Sequence, residues 1–163
     1  MIGIMGAMHE EIVELKAMMT DIDAIVLAEM TYFQGKLQGK DIVLVECGIG
    51  KVNSSICTTL LVNEFNIEKL IFTGVAGGIG NDIEVGDIVI STDLVQHDVD
   101  VTAFGLEYGV IPRMKTSFFV LLLILAIREG KVRLKDFHRE YWGYYCSCRN
   151  HRPYPKFSSI VVP

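Results

Sequence analysis

The chain has 163 residues, half of them apolar and 21% charged, which excludes a disordered chain and suits one domain with a real core. A net charge of −5 and a pI near 5.3 argue against a nucleic-acid binder. The longest apolar run, residues 118–127, is half the roughly 20 residues a spanning helix needs, so it reads as a buried helix or strand and no membrane segment is expected.

Ile2 to Met5 is a short apolar run that predicts a buried strand ending at Gly6. From Met8 the spacing becomes helical, with Met8, Ile12, Leu15, Met18 and Met19 on one face. Glu10, Glu11 and Glu14 crowd the start of that helix, where carboxylates suit the dipole. Tyr32–Leu37 and Asp41–Glu46 predict a hairpin across Gln38-Gly39-Lys40. Gly48-Ile49-Gly50-Lys51 reads as a turn that launches a second helix, Val52 to Phe65. Lys69 to Thr73 is continuously apolar after its first residue, as in a strand covered on both faces, and runs into a Gly-rich turn over residues 74–78. Asp87–Ser91 predicts the next strand, and Val95 to Tyr108 a further strand with a long loop. No N-terminal signal is visible. Cys47 and Cys57 sit in apolar segments and read as small core residues; with Cys146 and Cys148 they suggest a reducing cytoplasm and no disulfides.

Strands alternating with helices predict an α/β fold: three layers, with a mixed, largely parallel central sheet flanked by helices. In such folds ligands sit beyond the carboxyl ends of the strands. That rule gathers residues 6–11, 48–51 and 74–78 around one crevice.

The chain changes character near residue 118. Residues 1–118 hold seven Lys+Arg against 17 Asp+Glu, whereas 119–163 hold eight against three. The later stretch also has the only Trp, four of the six Tyr and three of the four Pro. Two segments are therefore expected: 1–118, and an anomalous tail, 119–163, that reads as the product of a frameshift near 118–120.

Four segments carry a resemblance. They are Ile4-Met5-Gly6-Ala7-Met8-His9-Glu10-Glu11, Gly48-Ile49-Gly50-Lys51-Val52-Asn53, Thr73-Gly74-Val75-Ala76-Gly77-Gly78, and Val85-Gly86-Asp87-Ile88-Val89 leading to a run from His97 to Gly105. In this order and spacing the first 118 or so residues resemble the N-terminal half of the 5'-methylthioadenosine/S-adenosylhomocysteine nucleosidases, within the purine nucleoside phosphorylase/nucleosidase superfamily. A single Gly-rich turn would be weak; four motifs in order are specific.

The resemblance implies a nucleoside phosphorylase-like fold, here incomplete, and hydrolysis of the N-glycosidic bond of methylthioadenosine and S-adenosylhomocysteine, releasing adenine for purine and methionine salvage. It implies no cofactor, no metal, a small-molecule nucleoside substrate and a homodimer. Cleaving an N-ribosyl bond passes through an oxocarbenium-like state. The reaction needs a positioned water, a carboxylate to handle it and an acid for the departing base. Glu11 matches the family's water-handling glutamate, while Glu10 reads as a solvated first-turn residue. Met8 and Ile49 match walls of the alkylthio pocket. Val75, Ala76 and Gly77 match positions beside the ribose, the water and the purine; many members have Ser where Val75 stands. Val101, Phe104 and Pro112 match positions that close the neighbour's pocket across the dimer. His97 reads as structural, and Asp98 and Asp100 lack the His or Cys company of a metal site.

The family's later motifs are a Ser-Gly-Asp strand, a Met-Glu pair that grips the ribose and a Ser-Asp whose aspartate protonates adenine. None occurs after Ser117. Activity of the chain as written is thus expected to be impaired. Three rivals follow. A purine nucleoside phosphorylase would need cations at the Gly-rich turns, where only Lys51 stands. A non-catalytic dimerising remnant would expose a sheet edge and an apolar face. In the tail, His138, Cys146, Cys148 and His151 could hold zinc, though Cys-x-Cys is an unusual spacing.

Overall fold

The computed structural model describes residues 1–78, 88–90, 93–96, 98–114, 122–127, 144–147 and 159–161. The chain forms two compact units, Met1–Gly74 and Val75–Pro163.

The first unit is a five-stranded mixed sheet with a helix on each face. Its strands are β1 (Ile2–Gly6), β2 (Met19–Leu27), β3 (Met30–Leu37), β4 (Lys40–Glu46) and the start of β5 (Lys69–Gly78), in the spatial order β2-β3-β4-β1-β5. The central strand β1 runs parallel to β4, with Ile4 opposite Leu44, and parallel to β5, with Ile4 opposite Ile71. β3 is antiparallel to both β4 and β2.

The unbroken apolar runs follow from burial on both faces. Ile4, Ile42 and Leu44 point to one face and pack with Ile12 of α1 (His9–Ala17) and Met19. The alternate residues Met5, Val43 and Val45 are also buried, toward the face of α2 (Lys51–Asn63). There the Thr58 hydroxyl donates to Met5 Sδ at 3.7 Å, and the Tyr32 ring stacks on Phe65 at 5.0 Å. The period of two along β1 and β4 thus serves two cores, one per layer. This is the three-layer α/β arrangement expected from the sequence.

Two expectations are corrected. The first helix stops at Ala17, and Met19 begins β2 instead of closing the helical face. β2 is an edge strand exposed along most of its length, with a bulge between Thr20 and Asp23 where Asp21 takes φ 54°. Exposure removes the alternating signature of a strand, and the two-residue turn into β3 has no Gly or Asn to mark it. Ala28 and Glu29 there take φ 47° and 64°, whereas the legible β3–β4 turn carries Gln38-Gly39 at φ 49° and 77°. The second correction concerns residues 74–78, which are not a turn. β5 continues through them to Gly78. α2 also begins one residue earlier and ends two residues earlier than the spacing suggested.

The second unit contains the end of β5, then β6 (Ile88–Ile90), β7 (Asp93–Gln96), a 3-10 turn at Thr102–Phe104, β8 (Leu122–Ile127), β9 (Tyr144–Ser147) and β10 (Ser159–Val161). β10 pairs antiparallel with β5 and β9, β9 with β7, and β6 with β8; β8 also pairs with β5. The apolar run after Phe118 therefore supplies a strand. His97, His138, Cys148 and His151, and most of the tail, lie outside the described residues. Among the described residues no helix is long and apolar enough to cross a membrane.

Candidate active site

Within the first unit the carboxyl ends of β1 and β4 lie side by side, next to the part of β5 that ends at Gly74. β1 ends at Gly6 opposite Glu46, and the Cys47 amide donates to the Gly6 carbonyl at 2.8 Å. That bond ties the loop after β4 to the loop after β1.

Glu11 sits at the third position of α1, half-buried. Its Oε2 accepts from the backbone N–H of Ala7 at 2.7 Å and of Met8 at 3.0 Å. Met8 is the N-cap, with extended backbone. A methionine cannot supply the reciprocal oxygen, so the glutamate makes the side-chain bond of this capping arrangement alone. Such charge-assisted bonds are about twice as strong as neutral ones, and they hold one edge of the carboxylate against the helix start. The other edge faces β5. An ideal Cβ built on Gly74 would fall 2.5 Å from Oε1 and 3.0 Å from Oε2. Glu10, one residue earlier, is exposed.

The loop after β4 is shaped by two glycines in the left-handed region, Gly48 at φ 80° and Gly50 at φ 101°. L side chains rarely adopt these values. Asn53 Nδ2 donates back to the Ile49 carbonyl at 2.8 Å and pins the turn to α2. Ile49 between the glycines is 57% exposed, and Met8 is half-buried. At the same edge His9 Nδ1 lies 3.5 Å from Glu46 Oε2, both side chains reaching solvent.

Beneath this loop lies a group of residues that sequence reasoning did not connect. Cys47, Cys57 and Tyr32 are buried at 1%, 0% and 0% exposure. Cys47 Sγ donates to the Gly48 carbonyl at 3.2 Å, and the Tyr32 hydroxyl donates to Met30 Sδ at 3.6 Å. The hydrogen bond with Cys57 holds the Cys47 thiol below its ordinary range. The same bond, with burial, pushes the Cys57 thiol up. Burial, then Cys57, pushes the Tyr32 phenol up as well. Both cysteines are free thiols. Only their apolar neighbours were visible in sequence; their meeting depends on how α2 lies on the sheet.

The remaining site candidates belong to the second unit. Val75, Ala76 and Gly77 continue β5 past Gly74, with Ala76 buried. Val101 precedes the 3-10 turn, Phe104 is 84% exposed and Pro112 is exposed. Asp100 Oδ1 accepts from the Thr102 amide and hydroxyl at 3.1 and 2.7 Å, so it closes this turn. Those bonds hold its carboxyl below the ordinary carboxylate value. Among the described residues no group of three His, Cys, Asp or Glu is placed to hold a metal ion. Cys146, on β9, is the one described member of the tail's zinc set.

The chain is similar in sequence and fold to known proteins. The sequence model of the Phosphorylase superfamily matches residues 1–148. A Staphylococcus haemolyticus protein named 5'-methylthioadenosine/S-adenosylhomocysteine nucleosidase is 49% identical over 138 residues, covering 85% of this chain and 60% of that relative. A protein of the same name from Staphylococcus epidermidis is 48% identical over 118 residues, covering 72% of this chain and 52% of the relative. Among solved structures, a Streptococcus pneumoniae MTA/SAH nucleosidase in complex with 8-aminoadenine superposes with a TM-score of 0.70 at 41% identity, covering 73% of this chain and 52% of that one. The chain thus spans a little over half the length of the relatives it matches. The family model and the Staphylococcus haemolyticus relative match beyond residue 118, whereas the Staphylococcus epidermidis relative matches over 118 residues only. With a family match over residues 1–148, this chain belongs to the phosphorylase superfamily.

Proposed function

We propose that this chain carries the water-activating half of a nucleosidase that hydrolyses the N-glycosidic bond of methylthioadenosine and S-adenosylhomocysteine and releases adenine. The observation that carries this reading is the Glu11 carboxylate, held by two backbone N–H groups at the carboxyl edge of the parallel strands. The carboxylate, fixed at the helix start, is assigned to orient the attacking water. As the ribosyl carbon gains positive charge, the carboxylate stabilises it and accepts the water's proton.

Met8 and the exposed Ile49 are assigned to the alkylthio group. Val75, Ala76 and Gly77, which continue the strand beyond Gly74, are assigned to the ribose and purine side. Val101, Phe104 and Pro112 are assigned to a homodimer contact; an 84% exposed phenylalanine supports this, since burying it against a second copy removes a large apolar surface from water. Free buried thiols at Cys47 and Cys57 fit a reducing, cytoplasmic setting. Residues 119–163 contain no Met-Glu or Ser-Asp pair. Without an acid for the departing base, adenine release by this chain is proposed to run about 10²–10⁴-fold below that of a complete site. The composition break near 118–120 is proposed to be a frameshift, and translating the DNA beyond codon 118 in all three frames tests it. Absence of Ser-Gly-Asp and Met-Glu in every frame overturns it.

The test of function is adenine release from methylthioadenosine and S-adenosylhomocysteine, with and without phosphate. Glu11→Gln is expected to lower release by about 10²–10⁴-fold, with no dependence on phosphate. Unchanged release overturns the assignment of Glu11, and dependence on phosphate points to phosphorolysis.

A further inference from the structure

We propose that Gly74 is a positioning residue: its missing side chain leaves the slot into which the Glu11 carboxylate fits. This rests on the assignment of Glu11 under the proposed function and adds the part of the fold that fixes its geometry.

A glycine at a strand end is usually explained by backbone conformation or by close approach of a ligand. Backbone conformation does not require it here, and a protein side chain already lies where its own would go. Gly74 is not among the residues with positive φ, so an L residue fits its backbone. The space a side chain would take is filled by protein. The three nearest heavy atoms to an ideal Cβ on Gly74 are all of the Glu11 carboxylate: Oε1 at 2.5 Å, Cδ at 2.8 Å and Oε2 at 3.0 Å. A second glycine flanks the same side chain from β1. A Cβ on Gly6 would meet Ile12 Cγ2 at 2.7 Å, Glu11 Cβ at 3.1 Å and the Thr73 carbonyl at 3.3 Å.

The two glycines differ in what they protect. A methyl at Gly6 runs into a buried side chain and into backbone, so substitution there strains the core. A methyl at Gly74 meets first the far end of one flexible side chain, which can swing away. Gly74→Ala is therefore expected to fold, with the carboxylate displaced by about 1 Å to reach ordinary van der Waals separation. A displacement of that size at a catalytic group costs on the order of 10²-fold in rate. The Ala7 and Met8 N–H groups would feel the same movement, because they are bonded to Oε2.

The experiment uses the full chain and two readouts. In amide-resolved NMR, Gly74→Ala is expected to shift the Ala7 and Met8 amide protons while the amides of the β2–β3 hairpin keep their positions. In the adenine-release assay it is expected to lower kcat by about 10²-fold with KM changed less than about threefold. Shortening the acid removes the clash, so Gly74→Ala added to Glu11→Asp is expected to cost less than about threefold beyond Glu11→Asp alone. Unmoved Ala7 and Met8 amides overturn the slot, whether or not the protein shows activity. Fully multiplicative losses in the double variant overturn it too. Shifted amides with unchanged adenine release leave the slot intact and overturn instead the role of Glu11.

Discussion

The strand ends of the first unit and the loop of residues 98–114 in the second solve opposite problems. At the strand ends every element is supplied locally. Glu11 has donors from Ala7 and Met8 and a gap at Gly74, and the neighbouring loop is tied down by Cys47 and Asn53. The loop of the second unit satisfies its backbone with its own short bonds, Thr102 to Asp100 and Gly109 to Val99, yet leaves Phe104 almost fully in solvent. One region is complete within a single chain, while the other holds a shape whose apolar side chain has no cover among the described residues. The contrast teaches that a carboxylate is positioned when donors and space come from neighbouring elements, whereas short bonds within one loop shape its backbone without covering its apolar side chain.

The comparison breaks most readily in the two-sided core. Leu44 is fully buried between β3 and β1, so Leu44→Ala is expected to cost about 2–5 kcal/mol in denaturant unfolding. A loss below 1 kcal/mol would mean the first unit is not the close-packed body described. Alkaline pH gives a second, smaller lever. The phenol of Tyr32 is raised above its ordinary value of 10.0 by burial, so the folded state keeps it neutral after the unfolded chain has ionised. Its contribution is complete below pH 10 and is lost as pH rises further, at about 1.4 kcal/mol per pH unit. Tyr32→Phe is expected to flatten that slope in thermal melts followed between pH 9 and 11; an unchanged slope would remove Tyr32 as its source.

The β2–β3 turn sharpens the contrast between strained and relaxed parts of the same sheet. Ala28 and Glu29 occupy left-handed backbone that suits Asn-Gly, so the double substitution A28N/E29G is expected to stabilise the chain by about 1 kcal/mol. A destabilised variant would show that these side chains do more than form a turn. The smallest effect belongs to the exposed loop. Phe104→Ala is expected to change unfolding stability by less than about 0.5 kcal/mol while shifting sedimentation toward the monomer. A dimer unaffected by this change would remove Phe104 from the proposed contact.

Much of this was legible without coordinates. The run Ile2–Met5, the Gln38-Gly39 turn and the Gly48–Lys51 turn carry local signatures, because burial on two faces, a hairpin loop and positive φ each select residue types directly. Glu11 was marked as one of three carboxylates at a helix start and was singled out from Glu10 only by the resemblance, while the N–H donors that hold it were not legible. β2 was not, because an exposed edge strand needs no alternation and its turn uses strained ordinary residues. The Cys47, Cys57 and Tyr32 cluster was not, because its members are brought together only by packing across layers.

The sequence alone determined the order of strands and helices of the first unit apart from β2, and which residue types occupy the strand ends, since those follow from hydrophobic period and backbone preference. Tertiary structure alone decided that Gly74 faces Glu11, more than sixty positions away in the chain. Which side chain fills the space beside a glycine depends on where helix α1 starts relative to β5, and no local pattern encodes it.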